Sequence, residues 1–96
     1  MKLNFDRVPK GLDGSDFTEN DKPVALKTIC INALLAPALP GDTPDQEEKL
    51  ARFLLAERLY KGGDVELKPE DVAKIRALIG KAYPPLIVGA TFKLLD

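Results

Sequence analysis

Proline placement constrains this chain more than any other feature. From residue 24 onward, Pro37, Pro40, Pro44, Pro69 and the pair Pro84-Pro85 divide the chain into segments of at most 24 residues. Proline cannot continue a helix, because it lacks the backbone N–H and crowds the preceding turn, yet it fits the first helical turn well. The spacing therefore predicts three to four short helices.

The first of these is Val24–Ala36, closed by Pro37. Leu26, Ile29, Cys30, Ala33 and Leu34 recur at helical spacing. The β-branched Thr28, Ile29 and Ile31 leave a strand as the alternative, but the length and poor alternation favour helix. With one charge in its length, this segment is expected to be the central element that the others surround.

A second helix is expected from Thr43 to about Lys61. Thr43 is read as the N-cap, Pro44 as the first helical residue and Gln46 as the partner in a capping box. Gly62-Gly63 supplies the left-handed stop. Acidic Asp45, Glu47 and Glu48 lie at the positive end of its dipole, and Arg58 and Lys61 near the negative end. Asp45/Lys49, Glu48/Arg52 and Glu57/Lys61 are acid-first pairs at i,i+4. Leu50, Phe53, Leu54 and Leu59 are expected to form its inner stripe.

Asp64-Val65-Glu66-Leu67 alternates as a short extended stretch would. A third helix follows from Lys68-Pro69, with Val72, Ile75, Ile79 and Ala82 facing inward, Gly80 weakening its end and Tyr83-Pro84-Pro85 breaking it. A closing helix runs from Pro85 to Leu95. Residues 1–22 differ: they are polar and turn-rich, with Asp13-Gly14 a good turn dipeptide and Leu3 and Phe5 permitting one short strand. They read as an extended, partly ordered N-terminal arm docked by Phe5, Val8 and Phe17, ahead of a single helical domain at 23–96. The fold class expected is mainly α: a compact bundle of three to four short helices with this arm and at most one short strand pair.

Composition narrows the chemistry. The 96 residues carry 14 Lys and Arg against 15 Asp and Glu, a net charge of −1, with the signs interleaved. Nucleic-acid binders usually show a basic excess or stripe, so nucleic acid is not an expected partner. No run approaches the roughly 18 apolar residues of a membrane span, and the N-terminus lacks a secretory pattern. There is no histidine and one cysteine, Cys30. The usual general base, the imidazole ligand and any Ser-His or Cys-His pair are thereby removed, as is a zinc site. Cys30, set among apolar neighbours, is expected to be buried and inert. Asp13, Asp16, Glu19 and Asp21 lack calcium-loop spacing and read as solvated loop charge. Gly62-Gly63 and Gly11/Gly14 do not match a phosphate-cradling loop. No catalytic residue, cofactor or metal is expected.

One surface stands out. On a helix over 24–36, Val24, Lys27, Thr28 and Ile31 fall on one arc. Either the N-terminal arm covers them, or they form a patch for a partner or for self-association.

Taken in order, Cys30-Ile31-Asn32-Ala33-Leu34-Leu35, Glu48 to Tyr60, Val65 to Asp71 and Ile79 to Leu86 give a pattern that resembles a group of small uncharacterised proteins encoded by tailed bacteriophages and prophages of proteobacteria. The resemblance runs from about residue 24 onward. It implies a phage product in the cytoplasm of a bacterial host that binds phage or host proteins during infection or virion head or tail assembly, with a homo-oligomer open to it. It brings no catalytic residues. The alternative is a small regulator binding DNA or a host factor, with the last two helices as a helix-turn-helix; its recognition helix would carry Lys93 as its one cation.

Overall fold

A computed structural model of the chain describes residues 1–37 and 41–95. Its elements in order are β1 (Lys2–Asn4), β2 (Thr18–Glu19), β3 (Lys22–Pro23), α1 (Leu26–Leu35), α2 (Gln46–Tyr60), β4 (Asp64–Glu66), α3 (Pro69–Ala82) and α4 (Pro85–Leu95). The architecture is mainly α, with two small antiparallel strand pairs where the sequence indicated at most one.

Residues 24–36 are helical in their core, so the strand alternative falls away. The helix begins at Leu26, however, after an extended Ala25. Val24 precedes it, and its N–H donates to the Phe17 carbonyl at 2.9 Å. Helix α1 is central as expected, packing against both α2 and α3 through buried Leu26, Ile29, Cys30, Ala33 and Leu34.

Helix α2 is capped differently from the sequence reading. Asp45, not Thr43, is the N-cap: its carboxylate accepts the Glu48 N–H at 2.8 Å. Pro44 therefore lies outside the helix. The aspartate satisfies an orphan N–H and adds negative charge at the positive end of the dipole. At the other end, Gly62 and Gly63 both take positive φ, +72° and +64°. The Gly63 N–H donates to the Asp6 carboxylate at 2.9 Å, and a Cβ on Gly62 would lie 2.5 Å from the other Asp6 oxygen. Gly62→Ala combines left-handed strain with this clash and is expected to cost about 2 kcal/mol. Gly63→Ala, with open space around its Cβ, should cost about 1 kcal/mol from strain alone. Urea denaturation of the two variants side by side separates the terms; equal losses would remove the clash.

Helices α3 and α4 follow the expected bounds. The Lys68 N–H donates to the Asp71 carboxylate at 3.1 Å, half of a capping box. Val72, Ile75 and Ile79 are buried, joined by Leu78, and Ala82 is partly buried. On α4, Thr91 is fully buried, and its hydroxyl donates to the Ile87 carbonyl at 2.8 Å, which removes the cost of an unmet polar group. Arg76 of α3 stacks over the Phe92 ring, 4.6 Å from its centroid.

The first 22 residues are tied in by backbone pairing. Strand β1 runs antiparallel to β4, with Leu3 opposite Val65. Phe5 is fully buried in the core. The Asp13-Gly14 turn closes against a bridge between Lys10 and Asp16. The second strand pair, β2 with β3, turns through Asn20 and Asp21, both at positive φ (54° and 64°). Positive φ at both central residues is what a type I′ hairpin turn requires, and Asn and Asp tolerate it better than other non-glycine residues.

Candidate functional site

The inward side of α2 is not the stripe that its periodicity indicated. Leu55, Ala56 and Leu59 are buried, whereas Leu50, Phe53 and Leu54 stand 57%, 50% and 49% exposed. The segment Leu50-Ala51-Arg52-Phe53-Leu54-Leu55-Ala56 carries two apolar arcs, and only one can face α1. The small Ala56 permits close approach to α1. The fourth inward position is taken by Arg52, whose side chain is 11% exposed.

Arg52 can turn inward because carboxylates meet it there. Its two terminal nitrogens each donate to Asp42 at 2.9 Å, and its Nε donates to Glu48 at 3.1 Å. Glu48 also accepts from Lys74 of α3 at 2.8 Å. The Lys74 hydrogen bond, with that from Arg52, holds the Glu48 carboxyl below its ordinary range, and the Asp42 pair holds the Arg52 guanidinium firmly protonated. The network leaves the other arc of α2 to solvent. Beside that arc, Tyr60 is 74% and Leu35 of α1 51% exposed. Between them lies a shallow notch of about 180 Å³, lined by Ile31, Leu35, Phe53, Ala56, Glu57 and Tyr60.

The four residues singled out on α1 are distributed over different surroundings. Ile31 lines this notch and is partly buried against the core. Lys27 lies 3.6 Å from the Asp6 carboxylate. Val24 and Thr28 lie together on the other flank of α1, in a groove of about 450 Å³ shared with Phe17, Ile29, Tyr83 and Leu86. The β2–β3 hairpin forms one wall of that groove through Thr18 and Glu19. Burial raises the Tyr83 hydroxyl above its ordinary range, opposed in part by a hydrogen bond with Asn32.

Cys30 is fully buried, and burial pushes its thiol up to about 12, so it holds its proton at neutral pH and is a poor nucleophile. Two acidic residues of the first 22 positions, Asp13 and Asp16, are engaged locally. Asp13 accepts from the Ser15 N–H at 3.0 Å and the Ser15 hydroxyl at 2.6 Å, which lowers its carboxyl. Asp16 pairs with Lys10. Among the described residues, no three His, Cys, Asp or Glu side chains gather as a metal site needs. No described helix is long and apolar enough to cross a membrane.

The exposed arc of α2 is therefore the surface that sequence reasoning missed. Its signal was present: a helix bearing two apolar arcs has one more than a single core contact can bury. Comparison with known proteins returns no family model, no curated protein and no solved structure that matches this chain.

Proposed function

We propose that this chain is a non-enzymatic phage or prophage protein that works by protein–protein contact, through the outer face of α2, in the setting of virion head or tail assembly. The observation that carries the reading is the row Leu50, Phe53, Leu54 and Tyr60, each about half exposed or more on one 15-residue helix. Single exposed apolar residues are commonplace, but a contiguous row of this kind marks an interaction surface. The phage setting is supported by the resemblance of residues 24 onward. The regulator reading has less support, since α4 carries Lys93 as its one cation and duplex binding rests on several phosphate contacts.

Phe53→Glu tests the reading, because the ring is half exposed and its loss leaves the core intact. In affinity purification from phage-producing cells, the wild type is expected to recover a virion or assembly protein and the variant to lose it at least tenfold. Equal recovery by both, or none by either, would contradict the α2 face as the contact surface.

A further inference from the structure

The groove on the other flank of α1, away from the notch beside α2, is built like a small-molecule site. Its volume of about 450 Å³ lies in the usual range for such sites, which combine an apolar lining with a few placed polar groups. Val24, Ile29 and Ile87 supply the aliphatic lining, and Phe17 and Tyr83 add two aromatic rings. A standard protein interface engages roughly 20–30 residues on each side, far more than line this groove. Its size suits a small molecule better than a protein face.

Charge selects among small molecules. Among the described residues, Glu19 on the hairpin wall is the one carboxylate lining the groove, and no lysine or arginine lines it. Lys22, opposite Glu19 across the hairpin, lines an adjoining notch instead, and the two make no ion pair. Burial is the main cause that raises the Tyr83 hydroxyl, and the negative field of Glu19 adds to it, so the carboxylate's charge reaches the tyrosine on α1's side of the groove. An anion bound here would meet Glu19 with no cation to offset it. A neutral apolar body would take water from the carboxylate and return nothing. An organic ammonium ion supplies both halves: a positive head, which a carboxylate and aromatic rings attract, and a body for the aliphatic lining.

We infer that this groove binds a small organic ammonium ion with an apolar body, its head beside Glu19 and its body among Val24, Ile29 and Ile87. The site is separate from the outer face of α2 and stands or falls without it. Glu19 is exposed, so water and salt share its field, and the charge adds selectivity more than strength.

Phenethylammonium chloride is the probe, with phenethyl alcohol as its neutral isostere and hydrocinnamate as the anion. Each is titrated into the full chain at low salt and followed by backbone amide shifts. The ammonium ion is expected to bind with a Kd of about 1 mM and to shift Thr28, Asn32, Tyr83 and Ile87. The alcohol should bind about three- to fivefold more weakly, and the anion more weakly still. Glu19→Gln should lower the ammonium ion to the level of the alcohol and leave the alcohol unchanged. Thr28→Phe, which fills the groove from α1, should abolish binding with an unchanged circular dichroism spectrum; should it fold poorly, Glu19→Gln carries the test alone. Shifts confined to other surfaces, or none below about 20 mM, would overturn the site. Equal affinity for the three compounds, or an ammonium preference that survives Glu19→Gln, would overturn the ligand class. Two further results would replace the occupant and overturn the inference. Groove shifts that grow with protein concentration without probe would make it a second copy. A capped phenylalanyl-lysine dipeptide bound about tenfold tighter than phenethylammonium would make it the side chains of a partner protein.

Discussion

Phe5→Ala is expected to destabilise the protein by about 3–5 kcal/mol, the loss typical of a fully buried phenylalanine. Phe5 has no exposed surface and belongs to the same core as Leu26, Leu59 and Ile79. Its backbone is equally committed. The Phe5 N–H donates to the Gly63 carbonyl at 2.9 Å, and its carbonyl accepts the Lys27 N–H at 2.9 Å. One residue thus joins β1, the first turn of α1 and the stop after α2. Removing the ring empties a site that three rigid elements surround, so little collapse can offset the cavity. Leu12→Ala is the control, since Leu12 is 96% exposed and should change stability by less than about 0.5 kcal/mol. Urea midpoints of the two variants give the comparison. A Phe5→Ala loss near 1 kcal/mol would mean that the first residues rest on the domain rather than complete it.

Why that was hard to read from the sequence is instructive. Leu3 and Phe5 alternate with polar neighbours, which permits a strand, but the partner strand at Asp64–Glu66 lies some sixty residues away, and local pattern carries no register over that distance. The helices were legible because their signals are local: Pro69 and Pro85 at helix starts, Gly62-Gly63 at a stop, Pro37 and Pro84 beyond ends. Caps were legible to within a couple of residues, with Asp45 taking the role assigned to Thr43. The facing of α2 was not. Its two apolar arcs, Leu50-Phe53-Leu54 and Leu55-Ala56-Leu59, satisfy the same period, and the choice between them turns on where Arg52 can be neutralised. That depends on Asp42, ten positions earlier and outside the helix, together with Glu48 one turn back. The surface was half legible for a related reason. The arc drawn through Val24, Lys27, Thr28 and Ile31 assumed a helix starting at Val24, and an extended Ala25 places Val24 outside it. Ile31 alone of the four reaches the notch beside α2.

The Arg52 network supplies the second large effect. Arg52→Met keeps an unbranched apolar stem but removes three charge-assisted hydrogen bonds, and is expected to cost about 3 kcal/mol. The desolvation of two charges is already met in the folded protein, with the Arg52 and Asp42 side chains 11% and 7% exposed. Taking away one of them leaves part of that cost on the other, and breaking a buried pair costs about 3–5 kcal/mol. The lower end applies because the site keeps an edge to water. Asp42→Ala leaves Arg52 its hydrogen bond to Glu48 and is expected to cost about 2 kcal/mol. The double variant should cost about what Arg52→Met costs alone, because the two substitutions break the same bond. Simple addition of the single losses would show that the bidentate pair does not couple. The same network predicts an acid response. Lys74 and Arg52 hold the Glu48 carboxyl below its ordinary range, so the folded state binds that proton less readily than the unfolded chain. The stabilisation it contributes is complete above the unfolded value of about 4.3 and is lost as pH falls through the lower folded value. Thermal midpoints measured from pH 6 down to pH 3 should therefore fall more steeply for the wild type than for Glu48→Gln, which begins less stable at pH 6 and has no carboxylate there to protonate. Parallel curves would place the acid sensitivity elsewhere in the molecule.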